Sequence, residues 1–206
     1  MAYPPVSAPY GLTPIHRLDG LPYAGAIRQI PIASTLATAI YNGQPVKIVQ
    51  GGTIAASPVT DSNAALANAV CGVFVGCAYT NSSGQPVEGQ YYPGNAAATN
   101  AVAYVVDDPN AVFKVAVTAA NSAMSTTTEA AVGTNVQFIQ GTASATTGDA
   151  GGSILAPSAS AGNVATLPFR VIAVVPDTNV TATTFSEVIV KVNVHQYNTA
   201  AAYDFA

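Results

Sequence analysis

Two histidines, two cysteines and one acidic run are the residues of this chain with the most chemical potential. His16 and His195 are the only imidazoles. Nucleophilic catalysis would pair one of them with a serine on a strained turn, and no Gly-x-Ser-x-Gly occurs. His16 falls in a proline-rich start and His195 on what reads as the polar face of the last strand. Both are therefore expected to be surface or interface hydrogen-bonders. Cys71 and Cys77 stand six positions apart, about 20 Å along a strand and nearly on opposite faces of a helix, too far for a disulfide either way. They are expected as small buried thiols, with no neighbouring His or Cys to complete a metal site. Asp107-Asp108-Pro109-Asn110 has oxygens that suit calcium, but it sits between two apolar runs, where Asp, Pro and Asn are what a turn requires. There is no glycine-rich phosphate loop and no zinc-type Cys/His spacing. The expectation is a protein with no catalytic residues, no metal and no cofactor, hence not an enzyme. The start, Met-Ala-Tyr-Pro-Pro-Val, has no basic stretch leading into an apolar one, so no secretory signal is expected. The glycosylation sequons at Asn81 and Asn179 then carry little weight.

The elements that would hold these residues come from an unusual composition. Only 8% of the 206 residues are charged, against about 25% in an ordinary soluble domain. Interspersed charge normally keeps a monomer from sticking to its own copies, so a chain that omits it is expected to live within an assembly. The net charge is −4, and the six basic residues are scattered singly, which argues against nucleic acid as a partner. The most apolar stretch, residues 64–79, is too short to cross a bilayer as a helix, so no membrane is expected.

Along the chain two regimes appear. Residues 1–30 are punctuated by Pro4, Pro5, Pro9, Gly11, Pro14, Gly20, Pro22 and Gly25, which forbid a helix and disfavour a central strand. Apolar residues recur there every two or three positions. That spacing describes an extended N-terminal arm laid along a surface, either a neighbour's or that of its own domain. An interface with another subunit is expected at Tyr3, Tyr10, Leu12, Ile15, Leu18, Tyr23 and Ile27.

Residues 31–206 read as a β-rich domain. Val188, Val190, Val192 and Val194 alternate with Glu187, Lys191, Asn193 and His195, Ile189 being the apolar exception, as in a strand with one buried face. Phe113, Val115 and Val117, and Phe169, Val171, Ala173 and Val175, repeat the pattern around Lys114 and Arg170. Further β-branched runs lie at 45–49, 73–79, 102–106 and 136–140, separated by turn residues. Short helical turns are expected at 61–70 and 125–132. Residues 141–162, rich in Thr, Ser, Ala and Gly, read as a flexible surface loop with an apolar island at Ile154-Leu155. The expected fold is mainly β: an antiparallel β-sandwich or partly closed barrel with an extended arm and one or two short helices.

Several blocks carry a resemblance. Tyr10-Gly11-Leu12-Thr13-Pro14, residues 25–32 (GAIRQIPI), residues 72–80 (GVFVGCAYT), Tyr92-Pro93-Gly94, and residues 103–109 (AYVVDDP) with Val112-Phe113 resemble a family of tailed-bacteriophage virion structural proteins. Phe169-Arg170-Val171-Ile172 and residues 192–197 (VNVHQY) continue it, so the likeness spans nearly the whole chain. The resemblance implies a capsid decoration, or cement, protein on the outer surface of the virion capsid, assembled in the host cytoplasm. Its partners would be a major capsid protein of HK97-type fold and copies of itself, as a trimer at local threefolds or a dimer at twofolds. The alternatives are another virion component, such as a tail tube or neck protein, or a receptor-binding adhesin whose Tyr79, Tyr91 and Tyr92 stack on sugars.

Overall fold

A computed structural model describes residues 8–23, 27–57, 70–119, 125, 127–156, 165–178 and 185–198. The chain is mainly β, built from two large sheets and a small ribbon.

The first sheet runs β2 (Ile27–Pro31), β9 (Ala98–Val106), β6 (Gly72–Asn81), β4 (Pro45–Val49), β5 (Thr53–Ala56), with every pairing antiparallel. A parallel bridge from Ile32 to Ile54 returns the first strand to the last, so the sheet is nearly closed into a barrel. Closure leaves one inward face, filled by Ile30, Ile32, Val46, Ile54, Phe74, Cys77, Ala103 and Val105. Strand β7 (Pro86–Gly89) folds back along the far half of β6. The ribbon of β3 (Ile40–Tyr41) and β8 (Tyr91–Tyr92) adds Ile40 and Tyr92 to that core.

The second sheet is ordered β11 (Asn135–Val136), β14 (Phe169–Val174), β15 (Glu187–Val192), β10 (Ala111–Thr118), β13 (Ser153–Leu155), β12 (Phe138–Ile139). Strand β1 (Thr13–Arg17) also pairs with β10, along Ala111–Lys114, just ahead of the two-residue parallel pairing with β13. The alternating residues read from the sequence set this sheet's inner face. Phe113, Val115, Val117, Val188, Val190, Phe169 and Val171 are all buried. They pack against Leu12, Val70, Val73 and Val106, so the larger core lies between the second sheet and the outside of the barrel. Each such side chain contributes about 1.5–3 kcal/mol by leaving water.

Four expectations need restating. Over residues 8–23 and from Ile27 on, the N-terminal segment lies on the chain's own body: β1 and β2 are strands of the two sheets, and Leu12 is buried. Main-chain hydrogen bonding along an open strand edge favours this over projection into solvent, and Pro14 is tolerated because β1 is itself an edge. Residues 1–7, and Tyr3 among them, lie outside the described residues. Residues 141–162, expected as a flexible loop, contain β13, whose Ile154 is fully buried against Phe138 and Val117. The apolar island is a core strand because its neighbours come from distant sequence. Of the expected helices, residues 61–69 are outside the described set, and 125–132 yields one 3-10 turn at Glu129–Ala131. Finally, β15 ends at Val192, and neither Glu187 nor His195 is on a solvated face: they are 1% and 2% exposed.

Candidate interaction surface

The acidic turn between β9 and β10 is the point on which the N-terminal strands converge. Asp108 accepts the Asn110 amide on its carboxylate at 2.8 Å and the Ala111 amide on its carbonyl at 2.9 Å, closing a tight turn. Two arginines then neutralise the turn. Arg17 Nε, at the end of β1, lies 2.9 Å from Asp108 Oδ2, and Arg28 Nε, on β2, lies 2.8 Å from Asp107 Oδ2. The carboxylates are thus occupied by cations of the chain itself. Among the described residues no group of three or more His, Cys, Asp or Glu is placed to hold a metal.

The C-terminal segment reaches the same turn. Past β15, Asn193 donates its side-chain amide to the carbonyls of Ala165 and Leu167, and the chain crosses to the barrel. There Val70 and His195 form a parallel bridge, and the Gln196 side chain pairs with both backbone groups of Ile48, accepting at 2.7 Å and donating at 3.0 Å. Tyr197 Oη donates to Asp107 at 2.9 Å, receives a hydrogen bond from Arg28, and lies 3.3 Å from Cys71 Sγ. The Arg28 guanidinium also rests 5.3 Å from the centre of the Tyr197 ring, a cation–π contact. Burial pushes the Tyr197 hydroxyl and the Cys71 thiol up in pKa. Burial draws His195 below its usual value, against the smaller pull of the Asp107 and Asp108 charges. His195 accepts the Tyr197 amide on Nδ1 at 3.1 Å, so its proton is on Nε2.

Around this clamp lies an apolar patch. Leu18, Leu21, Ile27 and Tyr197 are 51%, 54%, 44% and 45% exposed, and they are four of the five large hydrophobic residues most open to solvent among those described. Three of the four are tied directly to residues 106–110, and Leu21 only through Arg17, whose side chain pairs with Asp108. The Leu18 amide bonds the Asn110 carbonyl, Leu21 bonds the amide of Arg17, Ile27 pairs with Val106, and Tyr197 bonds Asp107. Exposed apolar residues scattered singly need no explanation, whereas these are grouped about one turn.

Of the residues expected at an interface, Leu18 and Ile27 therefore belong to this patch. Ile15 is half-buried on β1, Leu12 is in the core, and Tyr23 packs against that core. Tyr10 is engaged elsewhere: its hydroxyl donates to Glu187 at 2.5 Å, and Lys114 Nζ reaches the same carboxylate at 3.2 Å while lying 5.8 Å from the Tyr10 ring. Burial and the adjacent carboxylate push the Tyr10 hydroxyl up in pKa. This trio, with the Glu187 backbone N–H donating to Thr178 Oγ1 at 2.9 Å, is what allows Glu187 to be buried. Sequence reasoning missed Leu21, Tyr197 and both arginines. The available signal was charge economy, since a chain with six basic residues places two of them in the N-terminal segment and has an Asp-Asp pair to receive them.

Of the tyrosines named for sugar stacking, Tyr92 is buried and Tyr79 and Tyr91 are half-buried. Tyr92 is buried with its hydroxyl on the Leu36 carbonyl, Tyr79 packs on the barrel core, and Tyr91 is stacked at 5.4 Å on Tyr41. Cys77, inside the barrel, donates to the Tyr91 carbonyl, and burial raises its pKa to about 12. No protein-family model, no curated protein and no solved structure matches this chain.

Proposed function

We propose that this chain is a decoration protein of a tailed-bacteriophage capsid, which binds the outside of the major capsid protein shell and bridges neighbouring subunits. The observation that carries the reading is the apolar patch of Leu18, Leu21, Ile27 and Tyr197 around an internally neutralised acidic turn. Burying those side chains supplies a driving force that needs no charged partner. Scarcity of charge elsewhere suits a surface covered by neighbours, and the resemblance to phage virion proteins names the kind of assembly. Self-association at a capsid symmetry axis would extend the same covering to copies of the chain. Many modest contacts on one shell make release slow even where each is weak.

The direct experiment mixes purified protein with expanded capsids that lack it and measures occupancy after sedimentation. Saturable binding is expected, and Leu18→Asp with Ile27→Asp should lower it at least about tenfold, as an interface hot spot would. Absence of binding by the unaltered protein overturns the capsid reading. A copy number per virion far below that of the major capsid protein would instead favour a neck or fibre component.

A further inference from the structure

We propose that the outer face of the second sheet binds a carboxylate-bearing segment of a partner protein through Arg170 and Lys191. Three cations of the chain set the contrast. Arg17 pairs with Asp108 and Asp19, Arg28 with Asp107, and Lys114 with Glu187. Arg170 and Lys191 are placed differently. They are direct cross-strand partners on β14 and β15, so their side chains leave the same face side by side. Like charges in that position repel and cost stability. Among the described residues neither has a carboxylate within ion-pair distance.

The register extends the arrangement into a row. His16 on β1 pairs with Val112, Val112 with Lys191, Lys191 with Arg170, and Arg170 with Asn135 on β11. At the usual spacing between strands, His16 to Arg170 covers about 14 Å. Asn135 Oδ1 accepts Arg170 Nε at 2.9 Å, which orients the planar guanidinium while its terminal nitrogens make no hydrogen bond among the described residues. Arg170 is exposed and Lys191 half-buried, so both heads are within reach of a ligand.

A pre-oriented guanidinium fork beside an ammonium matches Asp or Glu side chains, which the fork holds with two parallel bonds. A phosphate polymer fits poorly: it needs a run of cations, and this chain is net negative. The repulsion between Arg170 and Lys191 is then the stability given up to keep a binding face unneutralised. None of these residues belongs to the apolar patch, so the inference stands or falls separately from the capsid reading.

The test uses the full chain and a fluorescein-labelled deca-glutamate peptide, followed by anisotropy at low salt. Saturable binding is expected, weakened about tenfold by Arg170→Gln or by Lys191→Gln and lost at high salt. Lys47→Gln, which removes a cation on β4, should leave it unchanged. Lys191→Glu should abolish binding and raise the thermal unfolding midpoint, because opposite charges then face each other across β14 and β15. No saturable binding by the unaltered chain overturns the proposal. So does equal weakening by Lys47→Gln, tighter binding of a single-stranded DNA of equal charge, or a lower midpoint for Lys191→Glu.

Discussion

Arg28 on β2 and Asp107 at the start of the β9–β10 turn meet at 2.8 Å, and Tyr197 from the C-terminal segment bonds both. Three distant parts of the chain are thereby joined at one point beside the apolar patch. Arg28 is 49% and Asp107 14% exposed at the side chain, so water screens the pair only in part. Asp107→Asn is expected to destabilise the fold by about 1 kcal/mol, read as a lower urea midpoint at constant slope. A double-mutant cycle with Tyr197→Phe should show coupling, because one carboxylate serves both partners. Strict additivity would mean that the three groups do not act together.

Tyr10 and Glu187 make the fold sensitive to alkali. The Tyr10 hydroxyl is raised above its ordinary value of 10.0 in the folded chain, as is that of Tyr197. Above pH 10 the unfolded chain releases phenolic protons that the folded chain retains. Stability is therefore full below about pH 10 and falls as pH rises beyond it. Tyr10→Phe should flatten that decline while lowering stability at neutral pH by about 1–2 kcal/mol, since Glu187 loses a donor. An unaltered alkaline slope in Tyr10→Phe would exclude this hydroxyl as a source.

His195 should act at the acid side. Burial holds its folded pKa below 6.5, so on acidification the unfolded chain takes up the proton first. Its stabilising contribution is complete above about pH 6.5 and is lost as pH falls toward the folded value. His195→Gln should remove the slope between about pH 6.5 and 5, a window in which ordinary carboxylates have not yet titrated. Chemical denaturation at a series of pH values measures it, and a slope that survives the substitution would place its origin elsewhere.

Cys77 should be inert to thiol reagents while the barrel is closed. With a pKa near 12, only about one molecule in ten thousand carries the thiolate at pH 8, and the sulfur is fully buried. Its labelling rate by a disulfide reagent should rise by orders of magnitude on adding denaturant and should track unfolding. Fast labelling under native conditions would mean that the barrel opens locally.

Gly43 fixes how the N-terminal segment enters the core. Its backbone is in the left-handed region, at φ +81°, and a Cβ there would stand 2.9 Å from the Leu12 amide nitrogen. That amide donates to the Gly43 carbonyl, also at 2.9 Å. Gly43→Ala is expected to cost about 1–3 kcal/mol, and to speed proteolysis ahead of Thr13 more than elsewhere. Uniform protection across the chain would show the strain to be absorbed locally.

The amino-acid sequence by itself determined the β class, the positions of β4, β6, β9, β10, β14 and β15, and the Asp-Asp-Pro-Asn turn. These follow from period-two burial and turn chemistry, which are local properties. Tertiary structure alone decided what covers each face. Glu187 and His195 alternate with valines and so read as solvated, yet Tyr10, Lys114 and the C-terminal crossing bury them. Leu12 and Leu18 look equivalent six positions apart, but one meets Gly43 in the core and the other stays outside at Asn110. Ile154-Leu155 reads as an island in a loop until β10 and β12 pair with it. In each case the deciding contact comes from a residue far along the chain, and pairing at that distance leaves no periodicity to read.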